Sequence, residues 1–227
     1  MRVLAKTSVT ALGLLAMAAH AAPPEGIYLR QEMAGNFSTA IMVFKGGQVA
    51  RNPEGDLEKF DFAAFKARQP RLVGSYARSG DTLAITWGDG TKIEGRLKPD
   101  KNGGFDYRSD AYAAVKPLPR GAKLEGRFTG GASVAGAYGS TVYTFSADGG
   151  YARSSGGSAS ASTRQGTATA SVSRGGKGRW AVSGNRLTLT PEGGAAETRN
   201  IYHVPMSRES SPSMLVIDGS VFTRAGK

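Results

Sequence analysis

Apolar side chains along this chain recur every second residue, not every third or fourth. In "DTLAITW", residues 81–87, Leu83, Ile85 and Trp87 fall on one side, with Thr82, Ala84 and Thr86 on the other. "NRLTLT" sets Leu187 and Leu189 against Arg186, Thr188 and Thr190, "STVYTF" groups Thr141, Tyr143 and Phe145, and "AIMVF" groups Ala40, Met42 and Phe44. This period predicts strands with one buried and one wetter face. Turn signals separate them: Gly46-Gly47, Ser79-Gly80-Asp81, Asp89-Gly90, Asp148-Gly149, Ser183-Gly184-Asn185 and Asp218-Gly219. The pattern predicts an all-β antiparallel meander of hairpins. Only "FDFAAFKAR", residues 60–68, predicts a short helix, with Asp61 as its cap and Pro70 as its stop.

The hairpins repeat. "GSYARSGDTLAITWGDG" at 74–90 returns as "GRWAVSGNRLTLTPEGG" at 178–194, with seven identities at a constant offset of 104. Flanking matches keep the same order: "GIY" at 26–28 with "GRF" at 126–128, and "FKGGQVAR" at 44–51 with "FSADGGYAR" at 145–153. Two tandem copies of one β-module are expected, residues 22–117 and 124–227, joined by a linker at 118–123 within a stretch, residues 116–123, that carries two prolines. The copies differ most at 154–178, a run of Ser, Gly, Ala and Thr. It reads as a mobile insertion beside a short strand; the alternation in "TATASVS" also permits an edge hairpin.

The first 21 residues look like a secretory signal peptide: Arg2 and Lys6, a short apolar stretch, then Ala19-His20-Ala21 as the cleavage site. About a dozen apolar residues cannot span a membrane core that needs about 20. The exported chain, periplasmic or secreted, would keep 27 cations against 18 acids, a net charge of +9. That charge either serves solubility or meets anionic envelope polymers and head groups. There is no cysteine, so an oxidising compartment supplies no disulfides.

The available chemistry is narrow. Export removes His20 and leaves His203, so a Ser-His-Asp triad would hang on one histidine in a strand-like segment. No nucleophile-elbow, zinc-protease or phosphate-loop motif occurs. Asp56, Glu58 and Asp61 cluster ahead of the helix, while Asp81, Asp89, Asp148 and Asp218 fall at turns, where such side chains bond local backbone. A non-enzymatic protein without metal or cofactor is expected. The aromatic residues are the better clue, because Tyr28/Phe128, Phe44/Phe145 and Tyr76/Trp180 stand at equivalent places in the two copies. They are either repeated core residues or the lining of a ligand cavity. Tyr28, Tyr76, Trp87, Phe128 and Trp180 are the candidate ligand-binding residues. Arg78 and Arg179 flank two of them, yet nucleic acid is not an expected partner.

The "GRF" opening a strand at 126–128, the Gly/Asp-turned meander and Arg224 in "VFTR" together resemble the lipocalin-like (calycin-type) barrels, including small domains of bacterial envelope proteins. The resemblance implies an up-and-down barrel or half-barrel in each copy, with Arg224 packed over Phe128. Tyr28 or Phe128 stands where that family places tryptophan, and the family's disulfide is missing. The expected function is binding of an amphipathic or anionic envelope ligand, a lipid or glycan. The alternative is a protein-interaction module, of inhibitor or immunity type, that caps a secreted enzyme.

Overall fold

The alternating segments form strands that pair in chain order. The computed structural model describes residues 24–32, 38–119, 121–134, 137–163, 166–205 and 212–226; the expected leader lies outside them. In the first half, β1 (Gly26–Glu32), β2 (Ser38–Lys45), β3 (Gln48–Arg51), β4 (Val73–Ser79), β5 (Thr82–Trp87), β6 (Lys92–Pro99), β7 (Phe105–Tyr107) and β8 (Asp110–Pro117) pair successively and antiparallel. Strand β8 then pairs back onto β1, from Ile27↔Val115 to Gln31↔Ala111, closing an eight-stranded antiparallel barrel. Closure leaves no exposed sheet edge to manage.

The second half continues with β9 (Gly126–Val134), β10 (Ala137–Phe145), β11 (Gly150–Thr163), β12 (Gly166–Ser183), β13 (Arg186–Pro191), β14 (Glu197–His203), β15 (Met214–Ile217) and β16 (Ser220–Arg224). Their pairings also follow chain order, and β16 returns to β9 through Thr223↔Thr129 and Arg224↔Phe128. A short contact between β8 and β14, Tyr202↔Pro117 and His203↔Lys116, links the two sets of strands. At the hairpins β4–β5 and β12–β13 the chain turns through Gly80 and Gly184, with φ of +57° and +59°. A residue bearing Cβ resists that conformation.

Residues 154–178 differ from the favoured expectation of a mobile insertion. Residues 154–163 belong to β11 and 166–178 to β12, whose pairing runs from Gly150↔Arg179 to Thr163↔Gly166, and β10 pairs with β11 as far as Ala137↔Ala159. Small side chains bury little, but a strand already bonded on one side extends its ladder through backbone groups alone.

The helix α1 (Phe62–Arg68) forms where expected, and the Asp61 carboxylate accepts a hydrogen bond from the Ala64 N–H at 2.9 Å. It turns Phe62 and Phe65 onto the outside of the barrel, where they join Leu29, Ile41, Val43 and Ala50. Tyr202, Val204 and Val216 from around β14 and β15 complete this layer. Strand β2 is therefore buried on both faces, Met42 and Phe44 inward and Ile41 and Val43 outward. Leu118 of the expected linker is also packed and, with Leu124 just beyond it, sits in the core of the second half.

Polar groups tie this layer together. The Tyr202 hydroxyl accepts from the Leu57 N–H (3.2 Å) and from Asn185 Nδ2 (2.9 Å). Tyr202→Phe leaves the Leu57 donor buried and unpaired, so a loss of about 1–3 kcal/mol is expected. Urea denaturation checks it; an unchanged midpoint would show that the layer does not depend on this hydroxyl. Among the described residues, no helix is long and apolar enough to cross a membrane.

Candidate functional site

The interior of the first barrel is occupied by its own side chains. Tyr28, Phe44, Tyr76, Phe105, Tyr107 and Tyr112 converge there with Leu83, Ile85 and Leu97. Their rings meet edge to face, Tyr28 with Phe105 at 4.9 Å and Phe44 with Tyr76 at 5.1 Å, while Phe105 stacks on Tyr112 at 4.6 Å. The charged pair within is matched: Arg30 donates to Asp110 at 2.8 Å. Glu25 covers one end, accepting from the Tyr76 hydroxyl at 2.7 Å and from the Gly46 N–H, while the Tyr28 hydroxyl donates to the Glu25 carbonyl. Burial first, then the Glu25 carboxylate, pushes the Tyr76 phenol well above its ordinary range and keeps it neutral. Two of the five candidate residues, Tyr28 and Tyr76, thus lie inside a filled core, each 7% exposed. Trp87 is half-buried at the margin of the same cluster.

Phe128 is fully buried in the second half, beside Phe145 and Tyr143. The Arg224 guanidinium lies 5.9 Å from its ring centroid and donates to the Glu125 carbonyl. The two residues meet as the family resemblance implies. Gly126 permits this approach, because a Cβ there would fall 2.8 Å from Arg224 Nε.

Trp180 differs from the other four. It is half-buried on β12, meets Phe145 edge on at 5.8 Å, and donates its indole N–H to the Ser146 carbonyl at 3.2 Å. It lines a cleft of about 360 Å³ with Leu118, Pro119, Ala122, Val182 and Ser183. One wall is apolar, while Ser183 and the glycine backbones of Gly121 and Gly184 give a polar rim. The volume falls within the roughly 300–1,000 Å³ of ligand pockets. Sequence reasoning missed the wall contributed by Leu118, Pro119, Gly121 and Ala122, having read them as part of a spacer. The available signal was the pair Leu118 and Leu124, apolar residues on either side of a Pro- and Gly-bearing segment.

His203, the histidine left after the expected export, pairs across strands with Lys116 and Leu215. Burial and the Lys116 charge both lower its pKa, which favours the neutral imidazole. A second cleft, of about 310 Å³, lies where Thr141 and Ser155 face each other, Oγ1 to Oγ 3.0 Å apart. Comparison with protein-family models, with curated proteins and with solved structures returns no match for this chain.

Proposed function

We propose that this chain is an exported, non-enzymatic binding protein built from two tandem lipocalin-like modules, and that it holds an amphipathic envelope ligand in the Trp180 cleft. The observation that carries the reading is that Trp180, alone among the five candidate aromatics, lines one of the clefts described above. A ligand with an apolar or sugar-ring face would stack on the indole and direct its polar groups to the Ser183 rim, as tryptophan's amphipathic character allows. The basic charge of the chain favours ligands that carry an acidic group.

Register supports the duplication. Hairpin β4–β5 pairs Gly74↔Trp87, Tyr76↔Ile85 and Ser79↔Thr82; hairpin β12–β13 pairs Gly178↔Pro191, Trp180↔Leu189 and Ser183↔Arg186, each residue shifted by 104. The openings agree as well, Gly26↔Phe44 and Tyr28↔Met42 beside Gly126↔Phe145 and Phe128↔Tyr143.

The test uses tryptophan fluorescence. In a Trp87→Phe background Trp180 is the sole reporter, and titration with lysophospholipid micelles and with soluble acidic oligosaccharides should give a saturable change from one of them. Trp180→Leu should weaken that binding by roughly tenfold, the loss expected for one aromatic–ligand contact of 1–1.5 kcal/mol. A flat response to every probe would remove this reading. The interaction-module reading would then lead, favoured by one observation: between Gly166 and Gly176, β12 has β11 as its only strand partner among the described residues, which leaves an edge that an extended chain can join.

A further inference from the structure

We propose that Asn102, in the loop between β6 and β7, is a site of spontaneous covalent modification. Its side-chain amide is displaced by the backbone nitrogen of Gly103, which leaves aspartate and isoaspartate in its place and loosens the first barrel. The chain has five asparagines, Asn36, Asn52, Asn102, Asn185 and Asn200, and only Asn102 precedes a glycine. Glycine lacks the side chain that would shield the attacking nitrogen.

Geometry singles out the same residue among those described. The Asn52 side chain accepts from the Ile41 N–H at 3.1 Å, and Pro53 after it has no N–H to react. Asn185 donates its amide to Asp56 at 3.2 Å and to Tyr202 at 2.9 Å. Asn200 is followed by Ile201, whose N–H is committed to the Asn185 carbonyl at 2.8 Å. The Asn102 side chain, by contrast, is exposed and makes no hydrogen bond among the described residues. Asp100 Oδ1 holds the amides on either side, the Asn102 N–H at 2.6 Å and the Gly104 N–H at 2.9 Å. The Gly103 N–H between them donates to no described residue. The space there is open, since a Cβ on Gly103 would meet only the Ala114 Cβ, at 4.0 Å.

Two aspartate–glycine turns lack this freedom. The Gly90 and Gly149 N–H groups donate to the Trp87 and Ser146 carbonyls at 2.9 and 3.0 Å. The Asp89 and Asp148 carboxylates accept from the Thr91 and Gly150 N–H groups, both at 2.9 Å. An ionised carboxylate also resists attack by a nitrogen nucleophile.

The reaction consumes water and releases ammonia. The Gly103 nitrogen gives its proton to hydroxide and bonds to Asn102 Cγ. The Cγ–Nδ2 bond breaks, and Nδ2 leaves as ammonia after taking a proton from water. Water then adds to either carbonyl of the cyclic imide. Opening at Cγ gives aspartate; opening at the main-chain carbonyl gives isoaspartate, whose backbone runs through the side chain and is one methylene longer. Either product adds one negative charge.

The loop has no slack for the longer product. The Asp100 N–H donates to the Gly104 carbonyl at 2.9 Å. Gly104 is buried against β8, where a Cβ would fall 2.3 Å from the Tyr112 carbonyl oxygen. Phe105 follows directly and stacks on Tyr112 in the barrel core at 4.6 Å. An extra backbone atom at 102 therefore pulls on the core through Gly104 and Phe105.

The processed chain is incubated at neutral and at mildly alkaline pH and sampled by cation-exchange chromatography. Mass spectrometry of its peptides, with electron-transfer fragmentation, tells isoaspartate from aspartate. An earlier-eluting form modified at Asn102 should accumulate, and faster at the higher pH because the attacking nitrogen must first lose its proton. Asn102→Gln, an exposed change that keeps the fold, should abolish this form. Asn102→Asp should elute with it and keep the parent's urea midpoint, whereas the isolated isoaspartate form should unfold at lower urea. Trp180→Leu should convert at the parent's rate, so this test and the Trp180 ligand test fail separately. A synthetic peptide of residues 99–105 serves as the clock. Intact Asn102 in the protein once the peptide has converted, conversion concentrated at another asparagine, or an isoaspartate form as stable as the parent would overturn the proposal.

Discussion

Phe44→Ala is expected to lower the unfolding free energy by about 3–5 kcal/mol, the range for removing a buried aromatic side chain. Phe44 is 1% exposed and lies at the centre of the first barrel's aromatic cluster. Its ring meets Tyr28 at 5.8 Å, Tyr76 at 5.1 Å, Phe105 at 6.1 Å and Tyr112 at 6.4 Å. Two features push the cost toward the upper end. A closed ring of hydrogen-bonded strands cannot contract to fill the cavity, and the ring pairs contribute beyond their buried area. Phe44→Leu, which keeps most of the volume, should cost less. Urea denaturation of both variants decides the matter, and a loss below about 1 kcal/mol for alanine would mean that the cluster does not hold the barrel together.

The second large effect concerns a pair of glycines. A Cβ on Gly178 would fall 2.0 Å from the Thr190 carbonyl oxygen and 2.8 Å from Pro191 Cα. On Gly74 it would fall 2.5 Å from the Thr86 carbonyl oxygen and 3.1 Å from Trp87 Cα. The obstructing atoms are backbone, so neither strand yields without breaking its ladder. Alanine at either position should cost about 3 kcal/mol or more, the upper end of what overpacking does. Gly176→Ala, where a Cβ meets nothing within 4 Å, is the matched control and should be near neutral. Thermal and urea midpoints of the three variants provide the check. Harmless alanines at 74 and 178 would show that these hairpins do not approach as closely as described. The two glycines and the two threonines are also identities of the internal repeat, so one physical constraint accounts for two of its seven matches.

Much of the strand layout was legible in the residues. Alternation located β2, β5, β10 and β13; the glycine turns located their ends, and Asp61 marked the start of α1. The approach of Arg224 to Phe128 was implied by the lipocalin-like resemblance and not by the pattern of the residues. The candidate site was less legible. Tyr76 and Trp180 occupy equivalent positions in sequence and in register, yet one is sealed under Glu25 and the other lines a cleft. Nothing local separates them. What differs is the covering segment: Glu25 bonds down onto Tyr76, whereas Leu118, Pro119, Gly121 and Ala122 leave space beside Trp180.

The sequence by itself determined the period-two strands, the turns that join them, the short capped helix and which side chains share a face. These depend on neighbours within a few residues, through backbone conformation and the alternation of Cβ directions. Only the tertiary structure decided that β2 is buried on both faces, that Leu118 of the linker packs into a core and that residues 154–163 and 166–178 extend a ladder. It also decided which aromatic residue is left beside open space. Alternation records which side of a sheet a residue occupies, but what covers that side comes from segments far away in the chain.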